Sequence, residues 1–451
     1  MTQNKNLLDI ANKCIDDAKK SGAYSVDTVI FDNEELSIRD RLGKTETIER
    51  SESSGLGIRV FIEGEGGLKQ AAVSTNDLSD KTIEGLIDQV VDMAKVSPVD
   101  QYAGLAEKGQ FAVEVEDMNI CDNNDYSESQ FIEVVKEGEA AGLSVDGVTN
   151  SDGAEISYSK SEFAIANSNG LSLIYPETNF SMFVSLVSGA STSKETDYDY
   201  SVSRHFGSLK NATEIGKRAG ELAVGRLNPV KKNTCKVPVV FSRRIARSFL
   251  DSFSGFINGA AIARKSSFLQ DSMEKQIFSK SIKIVDNPSI NAGISSEPFD
   301  GEGIKSNEIN LVENGVLKSW LLDIRSANQL GLETNGRASR SLSGNISPSS
   351  SNLYIENGLI SVDELISDIK EGFYVTDVFG MGINGVTGDY SQGAAGFWIE
   401  NGEILYPVNE MTIAGNLKDM FMNMNIANDL EMSFGTNSPT IRIDGMTIAG
   451  S

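Results

Sequence analysis

Imidazole is the scarcest catalytic group in this sequence. His205 is the single histidine among 451 residues, set in Ser203-Arg204-His205-Phe206. One imidazole can serve one proton transfer, but it cannot build a Ser-His-Asp triad or an HExxH zinc site. A GxSxG elbow is absent, because Gly388-Asp-Tyr-Ser391-Gln-Gly393 has the wrong spacing for a nucleophile on a strand-to-helix turn. Asp122-Asn-Asn-Asp125 lacks the glycine and the distal glutamate of an EF-hand loop. Gly380-Met-Gly382-Ile-Asn-Gly385 matches GxGxxG, yet a dinucleotide fingerprint must open a helix, and here glycines and a hairpin follow. The residues that do stand out are Asp389, Tyr390, Ser391, Gln392 and Gly393. They precede the small residues Ala394-Ala395-Gly396 and the pair Phe397-Trp398, a setting that permits close backbone approach. Substrate binding, an interface and a tight polar turn are all compatible with these residue types.

The elements around them define the expected frame. Leu7, Leu8, Ala11, Cys14, Ile15 and Ala18 recur at helical spacing, and Ile83, Leu86, Ile87, Val90, Val91 and Ala94 mark a second amphipathic helix before Pro98. Between them the pattern predicts short strands over 26–31, 35–39, 45–50, 57–62 and 68–74. A third helix is expected over 129–141. Strands over 154–159, 163–167, 171–175 and 179–188 follow, forming a second antiparallel sheet or extending the first. The stretch 191–200 reads as a solvated acidic loop. Asn211 with Glu214 resembles a cap for a helix reaching Leu227. Asn228-Pro-Val-Lys-Lys-Asn-Thr234 is the best linker, which divides the chain into 1–228 and 235–451.

Beyond the linker come a strand over 237–241 and a glycine-interrupted helix over 243–263. Asn-Gly turns follow at Asn314-Gly315, Asn357-Gly358 and Asn401-Gly402; the first and third sit cleanly between apolar runs, the strongest short signal for hairpins, and the second leads toward Ser361. Ser361 begins a capping box for a helix through Lys370. The fold class is therefore α+β: an amino-terminal α/β region with an antiparallel sheet, then a mainly antiparallel β region built as a large sheet or barrel.

Composition narrows the function classes. Apolar content of 39% and charged content of 23% are ordinary for a globular protein. The formal net charge is −24, which repels phosphate backbones and disfavours direct nucleic-acid binding. The amino terminus lacks the apolar core of a signal peptide, and no run is long enough to span a bilayer. Cys14, Cys121 and Cys235 are few, far apart and without CxxC spacing, so reduced buried thiols in a cytoplasmic protein are expected.

Several long motifs resemble the PmbA/TldE branch of the TldD/PmbA family. They are Gly388-Asp-Tyr-Ser-Gln-Gly-Ala-Ala-Gly-Phe-Trp398, the Glu400-Asn-Gly402 turn, and Met411-Thr-Ile-Ala-Gly-Asn-Leu-Lys-Asp-Met420. Arg264-Lys-Ser-Ser-Phe-Leu269, Ser296-Glu-Pro-Phe-Asp-Gly-Glu-Gly303, Gly315-Val-Leu-Lys-Ser-Trp-Leu-Leu322 and Ser74-Thr-Asn-Asp-Leu-Ser79 fit the same branch. The resemblance implies a subunit of a cytoplasmic zinc metallopeptidase that acts on unfolded or extended peptides. In the family, a TldD-type partner carries HExxxH on a helix, and a later cysteine completes the zinc site.

This chain departs from that pattern where the zinc ligands would stand. The corresponding helix falls near residues 247–259, RSFLDSFSGFING, with Asp251 as the one ligand type. The cysteine position falls near Phe434-Gly435. The resemblance thus implies a TldE-type subunit with no catalytic residue, metal ligand or cofactor of its own, zinc being supplied by the TldD-type partner. Expected partners are that subunit and a peptide, with a homodimer when the chain is alone. The competing expectation is a homodimeric peptide-binding scaffold without a proteolytic role.

Overall fold

The structure, a computed structural model, describes residues 6–191, 193–380 and 382–450. Its amino-terminal half is one large antiparallel sheet carrying two pairs of helices. In chain order the elements are α1 (Leu7–Lys20), β1 (Ser25–Arg41), β2 (Lys44–Gly64), β3 (Gly67–Thr75), α2 (Asp80–Val96), β4 (Val99–Asp100) and α3 (Glu128–Leu143). After them come β5 (Val148–Asn167), β6 (Ser172–Ser188), β7 (Glu195–Ser203) and α4 (Ala212–Gly225). The seven strands lie in the order β4-β3-β2-β1-β5-β6-β7.

Several short strands read from the pattern are halves of longer ones. Asp32-Asn33-Glu34 looks like a break, but β1 runs through it because β2 and β5 flank it on both sides. Asn33 pairs with Ser53 and with Ser161, and the Ser161 hydroxyl donates to the Asn33 side chain at 2.7 Å. The strands beyond residue 148 extend the first sheet and do not form a second. The expected acidic loop at 191–200 needs correction as well: from Glu195 it is the edge strand β7, and its Asp197 is buried. That reading took acidity for solvation, whereas two arginines neutralise Asp197 in place. Thr192, inside the same stretch, lies outside the described residues.

The helices sit where their apolar stripes predict. Leu7, Ala11, Cys14, Ile15 and Ala18 of α1 and Ile83, Ile87, Val90 and Val91 of α2 close one core over β1 and β2. Phe131 and Val135 of α3 and Ile215 and Ala219 of α4 close a second over β5 and β6. The α3–α4 contact is tight because glycines face each other: a Cβ on Gly216 would collide with the Gly138 carbonyl. Asn211 caps α4 by accepting from the Thr213 N–H.

The carboxy-terminal half begins with β8 (Cys235–Phe241), α5 (Arg243–Phe256) and α6 (Gly259–Ala263). Small elements follow: β9 (Ile284–Asp286), β10 (Ile309–Glu313), β11 (Val316–Leu317), α7 (Ile324–Leu330), β12 (Ala338–Arg340), β13 (Ile346–Pro348), β14 (Leu353–Ile355) and α8 (Val362–Ile366). Then come β15 (Glu371–Phe379), β16 (Asp389–Glu400), β17 (Glu403–Asn416), α9 (Leu417–Met422), β18 (Met424–Ile426), β19 (Thr436–Asn437) and β20 (Ile441–Ala449).

Strands β17-β16-β15-β8-β20 pair in sequence, and β17 pairs back to β20. The ring is thus a closed five-stranded barrel, which leaves none of these five as a free edge. Its one parallel pair is β8–β15. The Asn-Gly hairpins fall as expected at β10–β11 and β16–β17, with both residues of each turn at positive φ. The helix begun at Ser361 ends at Ile366, shorter than expected, because β15 starts at Glu371. Where one glycine-interrupted helix was expected, Asn258 caps a second one, accepting from Ala260 and Ala261. No helix among the described residues is long and apolar enough to cross a membrane.

Candidate functional site

A cleft of about 990 Å³ opens between the two halves of the molecule. One wall is β7, the edge strand of the large sheet, with α4 beside it. The other is the amino end of α5, with residues 290–294 and 429–440 at the rim. Six basic side chains (Lys210, Lys217, Arg218, Arg243, Arg244, Arg247) face six acidic ones on its lining. The cleft is therefore charge-balanced, although the whole chain carries −24.

Asp197 ties the two walls together. Arg226 Nε donates to it at 2.5 Å and Arg244 Nη1 at 2.8 Å. Burial alone would raise its pKa, but the Arg226 and Arg244 guanidiniums hold it below the usual carboxylate range. Asp199, one pleat along, is pushed up by burial. Arg244 also lies over the Tyr198 ring, 3.9 Å from its centre. Arg243 pairs with Glu431 at 2.6 Å. Arg247 instead lies over the Phe434 ring at 4.4 Å and donates to the Tyr200 hydroxyl at 2.7 Å. Phe434 and Tyr200 are themselves in ring contact.

The residues that stood out in the sequence lie elsewhere. Asp389 through Gly393 open β16, on the barrel, and do not line the cleft. Asp389 is exposed, accepting from Thr387 Oγ1 at 2.7 Å and from Asn416 Nδ2 at 3.1 Å, and the Thr387 hydrogen bond lowers its pKa. Tyr390 is 2% exposed and stacks on Phe249. Burial raises its pKa, and its hydroxyl has no partner among the described residues. The Ser391 N–H donates to the Gly382 carbonyl at 2.6 Å, and Gln392 Nε2 donates to the Gly380 carbonyl at 3.4 Å. A Cβ on Gly393 would meet the Phe379 ring, and one on Gly396 the Tyr374 carbonyl. The close approach these glycines permit is met by the neighbouring strand β15.

The GxGxxG segment leads into β16 and opens no helix, though its Met381 lies outside the described residues. His205 is away from the cleft lining; its Nε2 donates to the Asn119 carbonyl at 2.7 Å. Asp122 accepts from Tyr126, Asn124 and the Phe206 N–H, an arrangement that holds a loop. All three thiols are free, but only Cys14 is buried; Cys121 and Cys235 are half-buried.

Comparison with known proteins places this architecture. Family models match three successive segments: PmbA/TldA metallopeptidase domain 1 over 26–94, the central domain over 121–227 and the C-terminal domain over 234–450. The metalloprotease PmbA homolog of Haemophilus influenzae is 34% identical over 451 residues, covering 100% of this chain and 97% of that protein. The chain belongs to the PmbA/TldD metallopeptidase family. Metalloprotease PmbA of Escherichia coli O157:H7 is 33% identical, covering 92% of this chain and 90% of its own length. Among solved structures, TldE from Thermococcus kodakarensis superposes with a TM-score of 0.82 at 21% identity, covering 98% and 100% of the two chains. A protein from Bacteroides thetaiotaomicron, named as a proposed modulator of DNA gyrase, superposes at 0.90 with 23% identity and covers each chain completely. At these identities the superpositions speak for the fold.

The family's zinc chemistry can be tested against the residues present. The two places at which the motif comparison expects ligands, 247–259 and 434–435, meet here as Arg247 over Phe434. Asp251 is exposed and does not line the cleft. Four of the six cleft carboxylates have other partners: Asp197 holds two arginines, Asp429 accepts from the Thr440 N–H and hydroxyl, Glu431 pairs with Arg243 and Glu221 with Arg218. Among the described residues no group of three or more His, Cys, Asp or Glu is placed to hold a metal ion. A zinc site of three protein ligands plus one open position does not fit this lining.

Sequence reasoning missed Tyr200, Arg244 and Asp197 as cleft residues. One signal was available. Arg243 and Arg244 open a helix whose first turn carries no acid, and cations there oppose the helix dipole.

Proposed function

We propose that this chain is the TldE-type subunit of a two-subunit cytoplasmic metallopeptidase, and that its cleft helps to hold an extended peptide while a TldD-type partner performs the cleavage. The observation that carries the reading is the Arg247–Phe434 pair, which fills the corner where the family pattern would put histidine and cysteine. Two further features support peptide holding. The wall of the cleft is a sheet edge, the surface to which an extended segment adds as a strand. Its balanced charge suits a backbone with a cationic and an anionic end.

The reading is tested by assembly. The purified chain mixed with an HExxxH-bearing family subunit should migrate as one complex and co-purify with it. Two separate species at micromolar concentration would remove the subunit role and leave a homodimeric peptide-binding scaffold as the better description.

A further inference from the structure

The amino end of α5 is built against its own electrostatics. Its first residues are Arg243 and Arg244, with Arg247 one turn on, and no acid occupies the first turn. A helix amino terminus carries partial positive charge and orphan N–H groups, so it favours anions and disfavours cations. Here the N–H groups of Ile245 and Ala246 both reach the Ser242 carbonyl, while those of Arg243 and Arg244 have no acceptor among the described residues. Ser242 stands at the N-cap but its hydroxyl makes no capping bond. Ser242 is a lining residue of the cleft and only 8% exposed, and its hydroxyl is buried with no hydrogen-bond partner among the described residues. A buried, unpaired hydroxyl costs free energy unless a ligand completes it.

Arg247 adds a second unfilled donor set. Lys210, Arg218, Arg243 and Arg244 all have carboxylate partners, whereas Arg247 and Lys217 have none among the described residues, and of these two only Arg247 stands on α5. One N–H goes to the Tyr200 hydroxyl, and the Phe434 face fixes the plane of the guanidinium. Helical side chains lean toward the amino end, so Arg247 projects over the first turn of α5, the turn of Arg243 and Arg244 that follows Ser242. A planar guanidinium held by an aromatic ring is preorganised for a carboxylate, which it can bind through two parallel N–H bonds.

We propose that the amino end of α5 binds the carboxylate of an extended peptide, with Arg247 and the Ser242 hydroxyl as its side-chain donors and the first N–H groups of the helix behind them. The inference rests on the cleft being a peptide site, and it adds the feature of the peptide that the cleft reads. The carboxylate can come from the chain terminus or from an acidic side chain.

The test uses the full-length chain and fluorescence anisotropy with labelled, unstructured peptides rich in Gly, Ser and Thr. Three forms are compared: a free carboxy terminus, a terminal amide, and a terminal amide with one internal glutamate. N-acetyl-leucine and its amide, followed by ligand-observed NMR, serve as small probes. The wild-type chain should bind a carboxylate-bearing peptide about tenfold more tightly than the plain amide, as expected for hydrogen bonds to a charged group. Arg247→Met, which keeps the stem on Phe434, should erase that preference, and Ser242→Ala should reduce it. Arg247→Lys, with charge but no fork, should fall between; it also serves if the methionine variant melts early.

Preference for the free terminus alone assigns the site to chain ends, and preference for the glutamate peptide assigns it to side chains. Peptides that bind without regard to carboxylate, or a preference unmoved by Arg247→Met, would overturn the inference and leave the peptide reading standing. N-acetyl-leucine binding that depends on Arg247, with no peptide bound, would keep the anion site and remove the peptide reading. If neither probe binds, both fall.

Discussion

Two polar regions of this protein contrast sharply. Residues 389–393 are conspicuous in the sequence, a Gly-rich polar run beside Phe397 and Trp398, yet the structure sets them on a barrel strand. There their demands are met locally, by Thr387, Asn416, Gly382 and the Phe379 ring. The cleft corner is inconspicuous in the sequence, since Asp197, Tyr200, Arg244, Arg247 and Phe434 are spread over more than half the chain. In space they form one cluster across the two halves, joined through the Tyr198 ring. A dense local motif reports close backbone packing as readily as it reports a ligand site. A site assembled from distant elements leaves almost no local trace.

That contrast can be broken by mutation. The largest effect is expected at the clamp: Asp197→Ala strands Arg226 and Arg244 between the halves, and breaking a buried pair typically costs about 3–5 kcal/mol. Urea unfolding measures it, and a loss no larger than for an exposed pair would mean that the clamp is solvated and the cleft walls are held by other contacts. Gly396→Val comes next. Its side chain would press on the Tyr374 carbonyl of the neighbouring strand, and overpacking of this kind costs about 1–3 kcal/mol. A folded, stable valine variant would show that the glycine run is not there for the barrel, and would reopen a binding role for residues 389–393.

A smaller effect concerns pH. Asp300 is fully buried, and burial pushes its pKa up from 3.8 to about 6. The folded state therefore holds this proton more tightly than the unfolded chain, so the contribution of Asp300 to stability is largest at low pH. It is lost as pH rises through the window from about 4 to 6. Asp300→Asn cannot titrate, so its stability relative to the native chain should improve as pH rises through that window. Chemical denaturation at several pH values reads this, and a pH-independent difference would mean that Asp300 keeps an ordinary pKa. The smallest effect is expected at Asp389→Asn. This exposed group should change neither the melting temperature nor peptide binding measurably, and weakened peptide binding by the folded variant would bring β16 back into the site.

Much of the frame was legible because it follows local rules. Helical stripes gave α1 and α2, Asn-Gly pairs gave the β10–β11 and β16–β17 hairpins, and the run of hairpins pointed to the barrel. The long strands were cut short because Asp32-Asn33-Glu34 and its neighbours look like breakers until two flanking strands satisfy them. The edge strand β7 was hidden because its Asp197 is neutralised by Arg226 and Arg244, which lie far away in sequence. The cleft was hidden for the same reason, and only the unfavourable charge at the start of α5 hinted at it.

As proposed, this chain holds peptide without cleaving it and depends on a second subunit for chemistry. The most direct measurement is hydrolysis of an unfolded peptide by the chain alone, by an HExxxH-bearing family subunit alone, and by the two together, with bound zinc quantified in each. No turnover and no stoichiometric zinc are expected in this chain alone, with turnover in the mixture that a chelator abolishes. Chelator-sensitive hydrolysis by this chain alone, with one zinc per chain and no second subunit present, would contradict the proposal.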